Sequence, residues 1–373
     1  MADRQPHVNG ATIRCVACAA DLVAFGDDQS LVVLHVANGV EQCVATFFIG
    51  TPVLTLAFSP RTISPSADTL SWSIQLAIAC GDGHIRLCTY TVNAPEPIIQ
   101  IVSTAATTHS NDITGLAFSG SSSGRYLASS SLDRTCIVWD LEVLQHELQQ
   151  SELLDASGDF KLPSAGAYGD STRFANPLLS VAAHPQRAEF LISDNTGSVL
   201  LFDWADSCRA VVELVDPRTL ADARTGVKGI GLGGAAWKAQ DADFVGGAFG
   251  TRWVVWNLSH GGTGGGKPVL SGNSGLVSCN RFRWSPTDPT IFAVSSNSPA
   301  QGAVVNVFST QYPQAQPTSV SLASRPNKIQ DFDFLSGVGL VVAVGRRLYF
   351  VSLSNETQPV AISSGLSYLQ PSF

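Results

Sequence analysis

The sequence predicts an all-β protein, specifically a seven-bladed β-propeller, and three observations lead there. Short apolar segments with strand-like alternation recur in sets of three along the 373 residues. The sets begin roughly 40 to 65 residues apart, a period suited to propeller blades carrying insertions. The punctuation between them is rich in turn formers, with 33 Gly and 19 Pro. Apolar residues make up 45% of the chain and charged ones 14%, the reverse of a disordered composition. A single blade exposes two apolar faces and two strand edges, so the blades must pack radially to bury them.

The sets follow in order. The first holds the apolar strand 22–26, then Asp28 six residues before Leu34, with an outer strand expected near 42–49. In the second, strand 76–81 precedes Asp82, which lies six residues before Cys88. The third is the clearest: HSNDITGLAFSGSSSGRYLASSSLDRTCIVWDLE runs from His109 to Glu142. It reads as strands over 113–119, 126–131 and 136–141 around a tight turn at Leu132-Asp133-Arg134. That unit resembles the WD-repeat pattern, each copy of which supplies one four-stranded blade. The resemblance implies a hydrogen-bonded chain of a loop His, a strand Ser, a turn Asp and a strand Trp, here His109, Ser129 (or Ser131), Asp133 and Trp139. Later sets lie at 178–184, 189–193 and 198–204; at 233–237, 244–249 and 253–258; at 277–285, 291–295 and 304–308; and at 329–334, 338–344 and 348–353.

The propeller is expected over 11–362, with a polar tail at 1–10 and a second tail at 363–373. Closure has two readings: 358–362 completes the last blade, or residues near the N-terminus cross over to do so. An insertion interrupts the rhythm at 142–177, with a helix-like start and a Gly/Ser-rich continuation carrying Phe160, Leu162, Tyr168 and Phe174. A structureless segment of this length inside a compact domain is either functional or disordered. These four apolar residues are therefore the expected partner-binding set.

Charge and composition narrow the function. The formal net charge is −8 and no basic run is present, Arg346-Arg347 being only a pair within a strand signal, so no direct nucleic-acid partner is expected. No stretch reaches the roughly 18 apolar residues of a membrane helix, and positions 1–10 lack a signal-peptide core. So low a charge content fits a surface partly covered by a partner, a monomeric propeller within a hetero-oligomer. The eight Cys residues sit in apolar strand contexts and read as reduced core residues.

No catalytic, cofactor-binding or metal-binding residue is assigned. Cys15-x-x-Cys18 would place its thiols on opposite faces of a strand and lacks a second ligand pair. The GxxxxGK match at 261–267 is followed by Pro268 instead of the Ser or Thr that would hold magnesium. The His residues are dispersed and no GxSxG elbow is present. The acid pairs Asp27-Asp28 and Asp331/Asp333 read as turn and strand-face residues, and the Trp residues as core.

Part of the second half is more particular. Ala235-Ala236-Trp237, Phe244-Val245-Gly246-Gly247-Ala248, Trp253-Val254-Val255-Trp256-Asn257-Leu258 and Phe282-Arg283-Trp284-Ser285 follow His184-Pro185 and Phe202-Asp203. In this order the segments resemble the nucleoporin 37 family, the small propeller subunits of the Y-shaped outer-ring complex of the nuclear pore. The resemblance covers about 111–308 and implies a non-enzymatic scaffold at the nuclear envelope, within the machinery of nucleocytoplasmic, mRNA and protein transport. It also implies attachment to the large long-arm nucleoporin, contact with an Elys-type nucleoporin and, in metazoan relatives, presence at kinetochores. A WD-repeat substrate receptor of a ubiquitin ligase is the alternative; the Trp-Asp-x-Arg such adaptors carry is here Trp139-Asp140-Leu141-Glu142.

Overall fold

The computed structural model describes residues 10–37, 39–68, 70–103, 108–120, 123–142, 168–205, 209–224, 233–259 and 266–353. They form seven antiparallel sheets arranged as blades. Blade 1 holds β1 (Cys15–Ala19), β2 (Leu22–Gly26), β3 (Ser30–Ala37) and β4 (Val40–Phe48); blade 2 holds β5 (Val53–Phe58), β6 (Ser73–Cys80), β7 (Ile85–Thr91) and β8 (Ile98–Ile101). Blade 3 has β9 (Ile113–Phe118), β10 (Tyr126–Ser131), β11 (Thr135–Asp140) and β12 (Tyr168–Arg173); blade 4 has β13 (Leu178–Ala183), β14 (Glu189–Asp194), β15 (Val199–Asp203) and β16 (Arg209–Leu214). A helix, α1 (Pro217–Arg224), leads on towards blade 5, formed by β17 (Gly233–Trp237), β18 (Phe244–Phe249), β19 (Arg252–Asn257) and β20 (Leu270–Asn273). Blade 6 comprises β21 (Arg281–Trp284), β22 (Ile291–Ser295), β23 (Ala303–Ser309) and β24 (Thr318–Ala323); blade 7 comprises β25 (Ile329–Leu335), β26 (Gly339–Val344) and β27 (Arg347–Ser352).

Strand alternation explains why the blades close into a ring. In blade 1, Cys15, Leu22, Ala24, Leu31 and Val33 point one way into a core shared with Val53, Leu56 and Ile78 of blade 2. Their neighbours Val16, Val23, Phe25, Val32 and Leu34 point the other way, against Leu335, Val341 and Phe350 of blade 7. Six further seams of this type, counting the one to blade 7, run between successive blades, and the innermost strands touch in the cyclic order β1, β5, β9, β13, β17, β21, β25, β1. Each fully buried large apolar side chain contributes about 1.5–3 kcal/mol relative to exposure.

Three expectations need correction. Residues 168–173 do not belong to an insertion loop: they form β12, paired along its length with β11 from Thr135↔Arg173 to Asp140↔Tyr168. The polar composition of β12 suits the outermost edge of a blade, and pairing satisfies the amides of β11 that a loop would leave open. The inner strand of blade 6 begins at Arg281, not at 277, because the preceding residues turn, with the Leu276 N–H bonded to Ser274 Oγ and the Ser274 N–H to the Thr251 carbonyl. In blade 1 the turn is held by Asp27, whose carboxylate accepts the amides of Gln29 and Ser30; Asp28 instead pairs with Arg14. The candidate closing strand 358–362, both tails and most of the 142–177 insertion lie outside the described residues.

The helix α1 was not anticipated, although its start is legible: Asp216 accepts the Thr219 amide and hydroxyl, and Pro217 fills the first helical position.

Candidate interaction surface

In a meander of this kind all innermost strands run in the same sense. The upper face is defined here as the end where β1, β5 and their equivalents begin, and the lower face as the end where they finish. Turns between second and third strands open on the upper face. Connections between third and fourth strands open on the lower face.

His109, Ser129, Asp133 and Trp139 meet inside blade 3, near the upper face. His109 Nε2 lies 2.8 Å from Ser129 Oγ, and Nδ1 lies 3.1 Å from Asp133 Oδ2. Trp139 Nε1 donates to Ser129 Oγ at 3.0 Å. The Ser110 amide donates to Asp133 Oδ2, while the Thr135 amide and hydroxyl donate to Oδ1. One proton arrangement satisfies every member: Nδ1–H donates to Asp133, and Nε2 accepts from the Ser129 hydroxyl, which in turn accepts from Trp139. Burial pushes the His109 pKa below its ordinary 6.5 despite the neighbouring carboxylate. Burial also opposes the charge on Asp133, but its hydrogen bonds and His109 hold the carboxyl below the usual range. In blade 5, Trp256 is paired with Val245 as Trp139 is with Leu127, yet its indole N–H has no partner among the described residues. These groups are turned into the blade and serve its cohesion.

Besides their apolar cores, blades 6, 7 and 1 are joined by a polar ladder between their innermost strands. Arg281 Nε approaches Asp331 Oδ1 at 3.2 Å, and Asp331 Oδ2 accepts the Val16 amide at 3.1 Å. One pleat along, Arg283 lies 3.7 Å from Asp333, which accepts the Cys18 amide at 2.9 Å. The acid pair on β25 thereby satisfies edge amides of β1. Burial raises the Asp333 pKa, with Arg283 pulling it back.

The other sequence-nominated groups are spread apart. Cys15 belongs to the core between blades 1 and 2, and Cys18 packs against that between blades 7 and 1; burial pushes both thiols up. Among the described residues no group of three or more His, Cys, Asp or Glu side chains is placed to hold a metal ion. Residues 261–265 of the GxxxxGK match lie outside the described residues; Gly266 makes a bridge to Leu214, and β20 follows where a phosphate loop needs a helix. Trp139, Trp237, Trp253, Trp256 and Trp284 are buried. Among the described residues no helix is long and apolar enough to cross a membrane.

Of the expected partner-binding residues, Phe160 and Leu162 lie outside the described residues, and for Tyr168 only the backbone at the start of β12 is described. Phe174 is half-buried, with its ring 5.8 Å from Phe202 in the core between blades 3 and 4. The chain leaves β11 and returns to β12 on the lower face. That face also carries exposed Val40, Leu70, Val269 and Tyr312, and a recess of about 200 Å³ among Ile291, Phe308, Tyr312 and Pro317.

Comparison with known proteins fits this architecture. The model of the family "WD domain, G-beta repeat" matches residues 101–140, which contain the bonded set of blade 3. Nucleoporin Nup37 of Homo sapiens is 22% identical over 307 residues, covering 79% of this chain and 79% of that protein. Nucleoporin Nup37 of Mus musculus is 24% identical over 287 residues, covering 74% and 73%. The chain is a Nup37-like WD-repeat β-propeller.

Proposed function

We propose that the protein is a non-catalytic scaffold subunit of the Y-shaped outer-ring complex of the nuclear pore, docking onto the large long-arm nucleoporin at the nuclear envelope. The observation that carries this reading is the likeness to Nup37 across roughly three quarters of the chain. The architecture suits the role. A closed ring with seven packed seams presents a pre-formed surface, so little ordering entropy opposes association. An Elys-type nucleoporin is a second partner in the same assembly.

The lower face is the docking side in this reading, with Phe160, Leu162 and Tyr168 as contacts. Phe174 supports the fold and offers a partner only its exposed remainder. The test is affinity purification from cells at native expression. The wild-type chain should retrieve the large nucleoporin. A variant with 143–167 replaced by a short Gly/Ser linker, which spares β12, should retrieve at least tenfold less. Full retention in that variant would remove Phe160 and Leu162 from the reading, whereas retrieval of a ubiquitin-ligase adaptor in place of pore subunits would overturn the scaffold role itself.

A further inference from the structure

The upper face of blades 6, 7 and 1 concentrates positive charge in a chain that is acidic overall. Arg325 and Lys328 stand on the connection into β25, Arg346 and Arg347 at the turn into β27, and Arg14 just before β1. The three segments are adjacent in space: the Ile13 amide donates to the Gly345 carbonyl at 2.8 Å, and the Gly345 amide donates to Gln330 Oε1 at 2.8 Å. Arg325, Lys328, Arg346 and Arg347 are exposed, and none makes an ion pair with a described residue. Arg14 is half-exposed and pairs with Asp28.

The loops of this sector (10–14, 27–29, 274–280, 296–302, 324–328 and 345–347) contain two carboxylates, Asp27 and Asp28. Both are already engaged, one by turn amides and the other by Arg14. Beside Arg14 and Lys328 lies a recess of about 360 Å³, which Thr12, Leu54, Asn297 and Gln330 also line. Because Gln330 Oε1 is taken by Gly345, its amide nitrogen is left as a donor, beside the Asn297 amide and the Thr12 hydroxyl. The sector thus offers several donors while both of its carboxylates are already engaged, as recognition of an added carboxylate requires.

We infer that this sector is a second docking site, one that takes a carboxylate-rich peptide segment of a partner protein. It lies on the face opposite the 142→168 connection, so one propeller can hold two partners at once, and it stands whether or not the lower-face reading holds. A peptide is favoured over nucleic acid on two counts. The loops carry no Phe, Tyr or Trp on which bases could stack, and the exposed Phe48 of this sector is a single ring at the outer end of β4. The net charge of −8 repels a long polyanion, whereas a short acidic segment can seat within the Debye length, about 8 Å at physiological salt, of the local cations.

The experiment titrates a fluorescein-labelled hexaglutamate peptide with the full chain and follows anisotropy, with an oligothymidylate strand in parallel. Wild-type protein should bind the peptide in a salt-sensitive manner. The double variant Arg346→Glu/Arg347→Glu should weaken it about tenfold or more, and Arg346→Gln/Arg347→Gln should weaken it less while keeping the wild-type melting temperature. Lys267→Glu, an exposed cation on the lower face, changes the net charge by as much as Arg346→Gln/Arg347→Gln and, as the control for that change, should stay within about twofold of wild type. Absence of peptide binding, or an equal loss in the Lys267 variant, would overturn the site. Tighter binding of the oligonucleotide, lost in the same double variant, would overturn the peptide in favour of a nucleic acid.

Discussion

At the scale of single residues, Asp133 is the group on which blade 3 depends most. It accepts from the Ser110 and Thr135 amides, the Thr135 hydroxyl and His109. Asp133→Ala leaves these donors without their acceptor and should lower stability by about 1–3 kcal/mol in urea unfolding; an unchanged midpoint would contradict this role. His109 sets a pH dependence whose sign follows from burial. In the fold its imidazole is held neutral, with a pKa below 6.5, while in the unfolded chain it titrates at its ordinary value. Below about pH 6.5 the unfolded state takes up a proton that the fold refuses, so stability falls on acidification from pH 7 towards pH 5. Asp133 acts lower: its depressed pKa contributes stability above its ordinary 3.8 that is lost as pH falls through the folded value. Melting temperature against pH should thus be flatter between pH 7 and 5 in His109→Gln. It will not be level, because burial also lowers the pKa of His184. The four residues of this network were legible because the unit from His109 to Glu142 resembles the WD-repeat pattern. Which acid holds the blade 1 turn was not, since Asp27 and Asp28 are neighbours and only the backbone geometry separates the amide acceptor from the partner of Arg14.

At the scale of the element, strands with two apolar faces announced themselves, as in Phe244–Phe249 and Gly233–Trp237, whose bounds coincide with the sequence reading. Strands on the outer edge did not. β12 reads Tyr-Gly-Asp-Ser-Thr-Arg, and its pairing comes from the open edge of β11, not from any apolar pattern of its own. β18 also carries a constraint that composition alone does not reveal. Gly246 faces the Phe282 ring of blade 6 so closely that an added Cβ would overlap it, with Trp284 immediately beyond. Phe282 is fully buried and stacked 5.0 Å from Phe292, so the ring cannot swing clear. Gly246→Ala should destabilise by about 1–3 kcal/mol through overpacking, despite the better intrinsic strand preference of Ala. A chemical-denaturation midpoint equal to wild type would mean that the seam between blades 5 and 6 yields more readily than its packing indicates.

At the scale of the whole molecule, the number of blades could be read along the chain, but the features that join its two ends could not. Asp331 lies 315 residues from Val16, and the upper-face cations come from three separate segments, so neither forms a run or motif in sequence. Blade 7 has three strands among the described residues, which puts weight on the Arg–Asp–amide ladder at its junction with blade 1. Both oxygens of Asp331 are used, by Arg281 and the Phe332 amide on one side and by the Val16 amide on the other, so Asn would set an N–H₂ against a donor. Asp331→Asn should therefore cost about 1.5–3 kcal/mol. Asp333→Asn should cost less: its ion pair is looser at 3.7 Å, and burial raises its pKa, so part of its charge works against the fold at neutral pH. Hydrogen exchange separates a local from a global effect. In Asp331→Asn the amides of Val16 and Cys18 should exchange faster than in wild type, while those of β14, across the ring, keep their protection. Uniform loss of protection would mean that the seven seams unfold together and that the ladder is no weaker a point than any other. Faster exchange confined to β1 and β25 would identify this junction as the place where the ring opens first.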